Sequence, residues 1–111
     1  MQQSQTQTQS LDVKSVLAQA RDLLAKGWVK EHYGEDAEGN TQHALSEKAC
    51  KFCIVGALAR VLGIDASKVH DNHPAVQALD CGGVGQILLW NDEDRRTQAD
   101  VLALFDKAIA A

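Results

Sequence analysis

The segment Phe52-Cys53-Ile54-Val55-Gly56-Ala57-Leu58-Ala59 is apolar at every position, and Gly63 follows shortly after it. An element without a polar face has no side to turn to water. The stretch therefore predicts a central, buried helix running from Ser46 or Glu47 to Leu62 and stopped by Gly63. Gly56 costs such a helix about 1 kcal/mol relative to alanine. Beside the small residues Cys53, Ala57 and Ala59, it points to another element crossing there at close range. Lys48, Lys51 and Arg60 mark the wet ends of the helix.

Outward from this segment the pattern stays helical. Upstream, Val13, Val16, Leu17, Ala20, Leu23 and Leu24 recur at three- and four-residue steps. They predict a helix from about Leu11, with Ser10 as its N-cap and Gly27 as its stop. Trp28 to Tyr33 is rich in β-formers, and Gly34 to Asn40 is a strong turn signal. A short β-hairpin or a structured loop with an acidic tip is expected there. Downstream, Asp65 caps a short helical turn and Pro74 opens a short helix through Leu79. Val84, Ile87, Leu88 and Trp90 form an amphipathic pattern ending at Asn91-Asp92. Thr97-Gln98-Ala99-Asp100 has the form of a capping box, with Asp in place of Glu or Gln. Val101, Leu102, Leu104, Phe105, Ala108 and Ile109 carry the buried face of a last helix.

The expected fold is mainly α. Residues 11–111 should form one compact helical domain of three principal helices plus short helices, with a small β-hairpin. The apolar helix should lie between the first and the last. Its core should include Val16, Leu17, Leu24, Phe52, Val55, Leu58, Leu62, Ile87, Trp90, Leu102 and Phe105. Residues 1–10 read MQQSQTQTQS, uncharged and of low complexity, and are expected to be a disordered Gln/Ser/Thr tail.

The 111 residues suit one domain. The net charge of -4 argues against a nucleic-acid binder, which would present a basic face. Lys14, Arg21, Lys48, Lys51, Arg95 and Arg96 could gather on one face, but the acidic total argues against it. No apolar run approaches membrane-spanning length, and no basic-then-apolar leader opens the chain. Three cysteines cannot all pair within one chain, so a reducing, cytoplasmic setting is expected.

Several residue sets bear on chemistry. Cys50 and Cys53, followed by His70 and His73, have the ligand types of a tetrahedral zinc site. Against zinc, the cysteine pair falls inside a predicted helix, and Cys53 sits in the most apolar part of the chain. Asp36, Glu38, Asn40 and Glu47 share the offsets of a calcium loop, but the obligatory glycine is replaced by Thr41. Cys53 with His43 as base, or with His70 or His73, has the residue types for thiol catalysis. A mid-helix cysteine is more simply a packing residue. Gly82-Gly83-x-Gly85 lacks the Lys-Ser/Thr of a phosphate loop and reads as a bend. Trp90-Asn91-Asp92 is the most distinctive string. It predicts either a capped helix corner or a polar recess, with Trp28 or Tyr33 as further wall.

Gly27-Trp28, a turn containing Gly39, Phe52-Cys53-x-x-Gly56-Ala57-Leu58, Trp90-Asn91-Asp92, and Thr97 ahead of Val101-Leu102-x-x-Phe105-Asp106-x-Ala108-Ile109 occur in this order. Together they resemble a family of small bacterial and phage proteins catalogued only as a domain of unknown function. The likeness spans roughly residues 11–110. It implies a small intracellular domain, sometimes carried by mobile elements, and brings no activity, substrate or cofactor. Cys53 and Trp90-Asn91-Asp92 belong to the shared pattern, whereas Cys50, Cys81, His70 and His73 do not. The expected function is a non-enzymatic protein-interaction or accessory factor without a cofactor. Another protein is the expected partner, with Trp28, Trp90, Asn91 and Asp92 as candidate binding residues. The alternatives are a small thiol-dependent enzyme using Cys53 with a histidine base, and a zinc-stabilised module.

Overall fold

The computed structural model describes residues 2–111, with side chains from Val13 onward. Among the described residues there are five α-helices and one two-stranded antiparallel sheet: α1 (Gln2–Lys26), β1 (Gly34–Glu35), β2 (Lys51–Phe52), α2 (Ile54–Leu62), α3 (Pro74–Leu79), α4 (Val84–Asp92) and α5 (Gln98–Ala110). A 3-10 turn at Ala66–Lys68 joins α2 to α3. The mainly helical architecture with a small hairpin is the expected one. The expected Leu11 start lies inside α1. The side chains of the expected tail and of its Ser10 cap fall outside the described residues.

The apolar segment forms the most enclosed element. Ile54 to Ala59, the first six residues of α2, are all buried. Gly63 ends the helix in the left-handed conformation at φ 70°, where a side chain would be strained. The helix nevertheless begins eight residues later than its expected start at Ser46. Lys51 and Phe52 are drawn instead into β2, where Gly34 pairs with Phe52 and Glu35 with Lys51. The Phe52 N–H also donates to the Gly27 carbonyl at 3.1 Å, and its carbonyl accepts from the Val29 N–H at 3.1 Å. Those backbone bonds compete with helix formation over residues 46–52. Cys53, extended at φ -80°, ψ 174°, then becomes the N-cap of α2.

The hairpin also differs from its expected form. The ladder partner of Gly34-Glu35 lies at 51–52, whereas within residues 28–41 the turn closes through a single antiparallel bridge between Glu35 and Thr41. The acidic tip is a turn wound around Asp36. Its carboxylate accepts from the N–H groups of Glu38 and Asn40 at 3.0 and 2.8 Å and from Gln42 Nε2 at 3.0 Å. The carboxylate needed for a calcium loop is thus consumed by its own turn.

Packing places α1, not α2, in the middle. α1 packs against both α2 and α5, whereas α2 packs on α4. Val16, Leu17, Ala20 and Leu24 face this junction, meeting a core that includes Phe52, Leu58, Ile87, Val101 and Phe105. Leu62, Trp90 and Leu102, expected in the core, are only partly buried and pack on its edge. The capping box of α5 forms as expected, with Thr97 and Asp100 exchanging side-chain and backbone hydrogen bonds. Among the described residues, no helix is long and apolar enough to cross a membrane.

Candidate functional site

The end of α4 and the segment 28–33 are locked together by one buried side chain. Asn91 is fully buried. Its Oδ1 accepts from the Trp28 indole N–H at 2.9 Å and from the Ile54 N–H at 3.0 Å. Its Nδ2 donates to the Val29 carbonyl at 3.2 Å and to Asp92 Oδ1 at 2.9 Å. An amide carries both donor and acceptor, so one residue satisfies three elements at once. Asp92 Oδ1 also accepts from the Glu31 N–H at 3.0 Å. Lys30 Nζ donates to the Glu93 and Asp94 carbonyls at 2.6 and 3.0 Å, at the negative end of the α4 dipole. Residues 28–33 thereby form a strap pinned across the C-terminus of α4. Glu31 within it stands at φ 73°, a conformation that non-glycine residues adopt at a cost.

The strap continues over the first turn of α2. An alanine methyl at Gly56 would lie 1.8 Å from the Tyr33 carbonyl oxygen. The small residue in the apolar segment therefore marks a close crossing, as its sequence context predicted, and the crossing element is the strap.

Between strap, α2 and α4 lies a cleft of about 310 Å³. Glu31, His32 and Tyr33 line it from the strap, and Leu88 and Asp92 from α4. Thr41 borders it from the hairpin loop, and Cys53 stands at its floor. The Cys53 sulfur accepts from the Gly56 N–H at 3.3 Å, and the residue is 2% exposed. Burial pushes the thiol pKa up to about 11, with the Asp92 charge adding to the rise against the Gly56 N–H. A helix N-terminus ordinarily favours a thiolate, but desolvation outweighs it here.

The sequence candidates divide between places. Trp28, Asn91 and Asp92 come together, and Asp92 reaches the cleft with Cys53. Trp90 lies elsewhere, beneath the Arg96 guanidinium at 3.6 Å, and its carbonyl accepts from Arg96 Nε at 2.8 Å. His43, the proposed base, is held by Asp65 at 2.8 Å and accepts from the Leu45 N–H at Nδ1. It does not line the cleft that Cys53 floors. His32 does, and sequence reading passed over it because no spacing ties it to Cys53. His73 caps α3 through Nδ1, accepting from the Ala75 N–H at 3.0 Å. Cys50, Cys53, His70 and His73 are not gathered: among the described residues no three His, Cys, Asp or Glu side chains stand where they could hold a metal ion.

A family model described as a family of unknown function, DUF6197, matches residues 8–111. The chain belongs to the DUF6197 family. No curated protein and no solved structure matches it. Two carboxylate residues, two aromatic rings, a hydroxyl and an aliphatic wall make a recess suited to holding a polar group. The thiol below them is protonated and engaged.

Proposed function

We propose that this DUF6197 domain is a non-enzymatic protein-interaction module acting in the cytoplasm, and that its binding feature is the cleft beside Cys53. The observation that carries this reading is the state of the thiol. Cys53 serves as the cap of α2, buried and with its pKa raised, which suits packing and not nucleophilic attack. The three free cysteines agree with a reducing compartment. A role as a phage or mobile-element accessory factor rests on the family resemblance alone.

The test is a pull-down in the source organism with three baits: wild type, C53S, and E31Q/D92N. A specific partner retained by wild type and C53S but lost by E31Q/D92N is expected. Capture of nothing specific, or of partners indifferent to the cleft, would overturn the reading. The second reading, a thiol enzyme, draws on Cys53 standing at a helix N-cap in a cleft that His32 also lines. Rapid alkylation of Cys53 by iodoacetamide at about pH 6 would favour it.

A further inference from the structure

We infer that the cleft receives a cationic side chain, an arginine or lysine, from the partner protein. This rests on reading the cleft as the binding site and adds the chemistry of what enters it. Glu31 and Asp92 bring carboxylates to the lining from two different elements, and no Lys or Arg lines it. Asp92 spends only Oδ1 on internal hydrogen bonds, to the Glu31 N–H and Asn91 Nδ2. Among the described residues, Asp92 Oδ2 and the Glu31 carboxylate accept no hydrogen bond, so both remain available. The strap's own cation, Lys30, is committed to the carbonyls beyond α4, and Arg96 is committed to Trp90 and Glu93. Among the described residues, the negative charge at the cleft is therefore met by no Lys or Arg, and His32 is the one basic side chain that shares the lining.

Three further features agree. Asp92 closes α4, whose C-terminal dipole end attracts positive charge. Leu88 and the Tyr33 ring offer apolar surface for the methylene stem of a long cationic side chain. The volume, about 310 Å³, lies at the small end of ligand sites and suits one side chain. A second hollow of about 260 Å³ shares Tyr33 and Thr41 with the first and continues toward His43 and Asp65. The chain segment carrying the cation thus has a concave path to follow, which favours a protein donor over a free amine. Glu31 is held in its left-handed conformation through its N–H to Asp92, so the Glu31 backbone and the Asp92 carboxylate are fixed against each other, and the Glu31 side chain is left to turn toward an incoming cation.

The experiment is an amide-resolved NMR titration of the full chain with acetyl-Gly-Arg-Gly-amide and acetyl-Gly-Lys-Gly-amide, against the Gln and Glu counterparts. D92N keeps Oδ1 as an acceptor for Glu31 and Asn91, so E31Q/D92N removes charge at little structural cost. Saturable shifts at Glu31, His32, Tyr33, Thr41 and Asp92 are expected with the cationic peptides only. The affinity should fall about tenfold in E31Q/D92N, and in wild type at about 0.5 M salt. Equal shifts with the Gln peptide would keep the cleft as a binding site and sink the choice of cation. No shift at about 10 mM peptide, or unchanged binding by E31Q/D92N, would overturn the inference. The wild-type peptide and salt series stand even if the double variant does not fold. A pull-down with L88W, which fills the cleft without touching its charge, judges the binding-module reading separately: loss of the partner in L88W but not in E31Q/D92N keeps that reading and sinks the cation.

Discussion

At the scale of single residues, Asn91 and Cys53 show how polar groups are used in this domain. Replacing Asn91 with Ala strands the Trp28 indole N–H and the Ile54 N–H in a buried position. A loss of about 3 kcal/mol or more is expected in urea unfolding. N91D keeps an acceptor but buries a charge against Asp92 and loses both donated bonds, so it should be no milder. Cys53 predicts a reactivity order. With its pKa near 11 and its side chain buried, Cys53 should be alkylated at neutral pH about a hundredfold slower than a free cysteine thiol, as mass mapping of a short iodoacetamide pulse would show, with exposed Cys50 modified first. The sequence singled out Asn91, Asp92, Trp28 and Cys53 because each is chemically distinctive. It could not show that Trp28 meets Asn91 or that Asp92 shares a cleft with Cys53, since these pairs lie more than 30 positions apart in the chain. Nor could it single out His32 or Glu31: exposed polar residues in a turn-rich segment have no periodicity to give them away.

At the scale of elements, the crossing of strap and α2 is the tightest joint. G56A would drive a methyl group into the Tyr33 carbonyl. A backbone cannot yield as a flexible side chain can, so a cost of about 3 kcal/mol or more is expected by thermal or urea unfolding. L58A, by contrast, empties a fully buried site and should cost about 2–5 kcal/mol. The helices were legible because periodicity, Gly63, Pro74, Asp65 and Thr97 are local signals. The start of α2 was not. Residues 46–52 have helix-compatible composition, and only pairing with distant Gly27, Val29 and Gly34 turns them into strand and loop.

At the scale of the whole molecule, the acid limb of stability follows from carboxylates used as fasteners. Asp65 is held well below the usual carboxylate range, chiefly by the Ser67 N–H and then by His43. Asn40 and Gln42 lower Asp36 likewise. A folded-state pKa below the unfolded value near 3.9 gives stability that is present above that pH and lost as pH falls through the folded value. Wild type should therefore weaken below about pH 4. D65N keeps a good N-cap residue but lacks the charge, so its deficit relative to wild type should shrink as the solution is acidified. Urea midpoints at neutral and acid pH would check this. The mainly helical class was readable from α1, α4 and α5, whose stripes are regular. The order of layers was not, because the all-round apolarity of α2 says that it is enclosed without saying by what.

The two tryptophans are fastened to opposite attachments of one helix: Trp28 through its indole to Asn91, Trp90 beneath Arg96. They make a built-in optical pair. A W90F protein would emit from Trp28 alone, and its fluorescence would report departure of residues 28–33 from α4. A W28F protein would watch the far side. If occupancy of the cleft tightens the strap, the first lamp changes colour and the second stays constant.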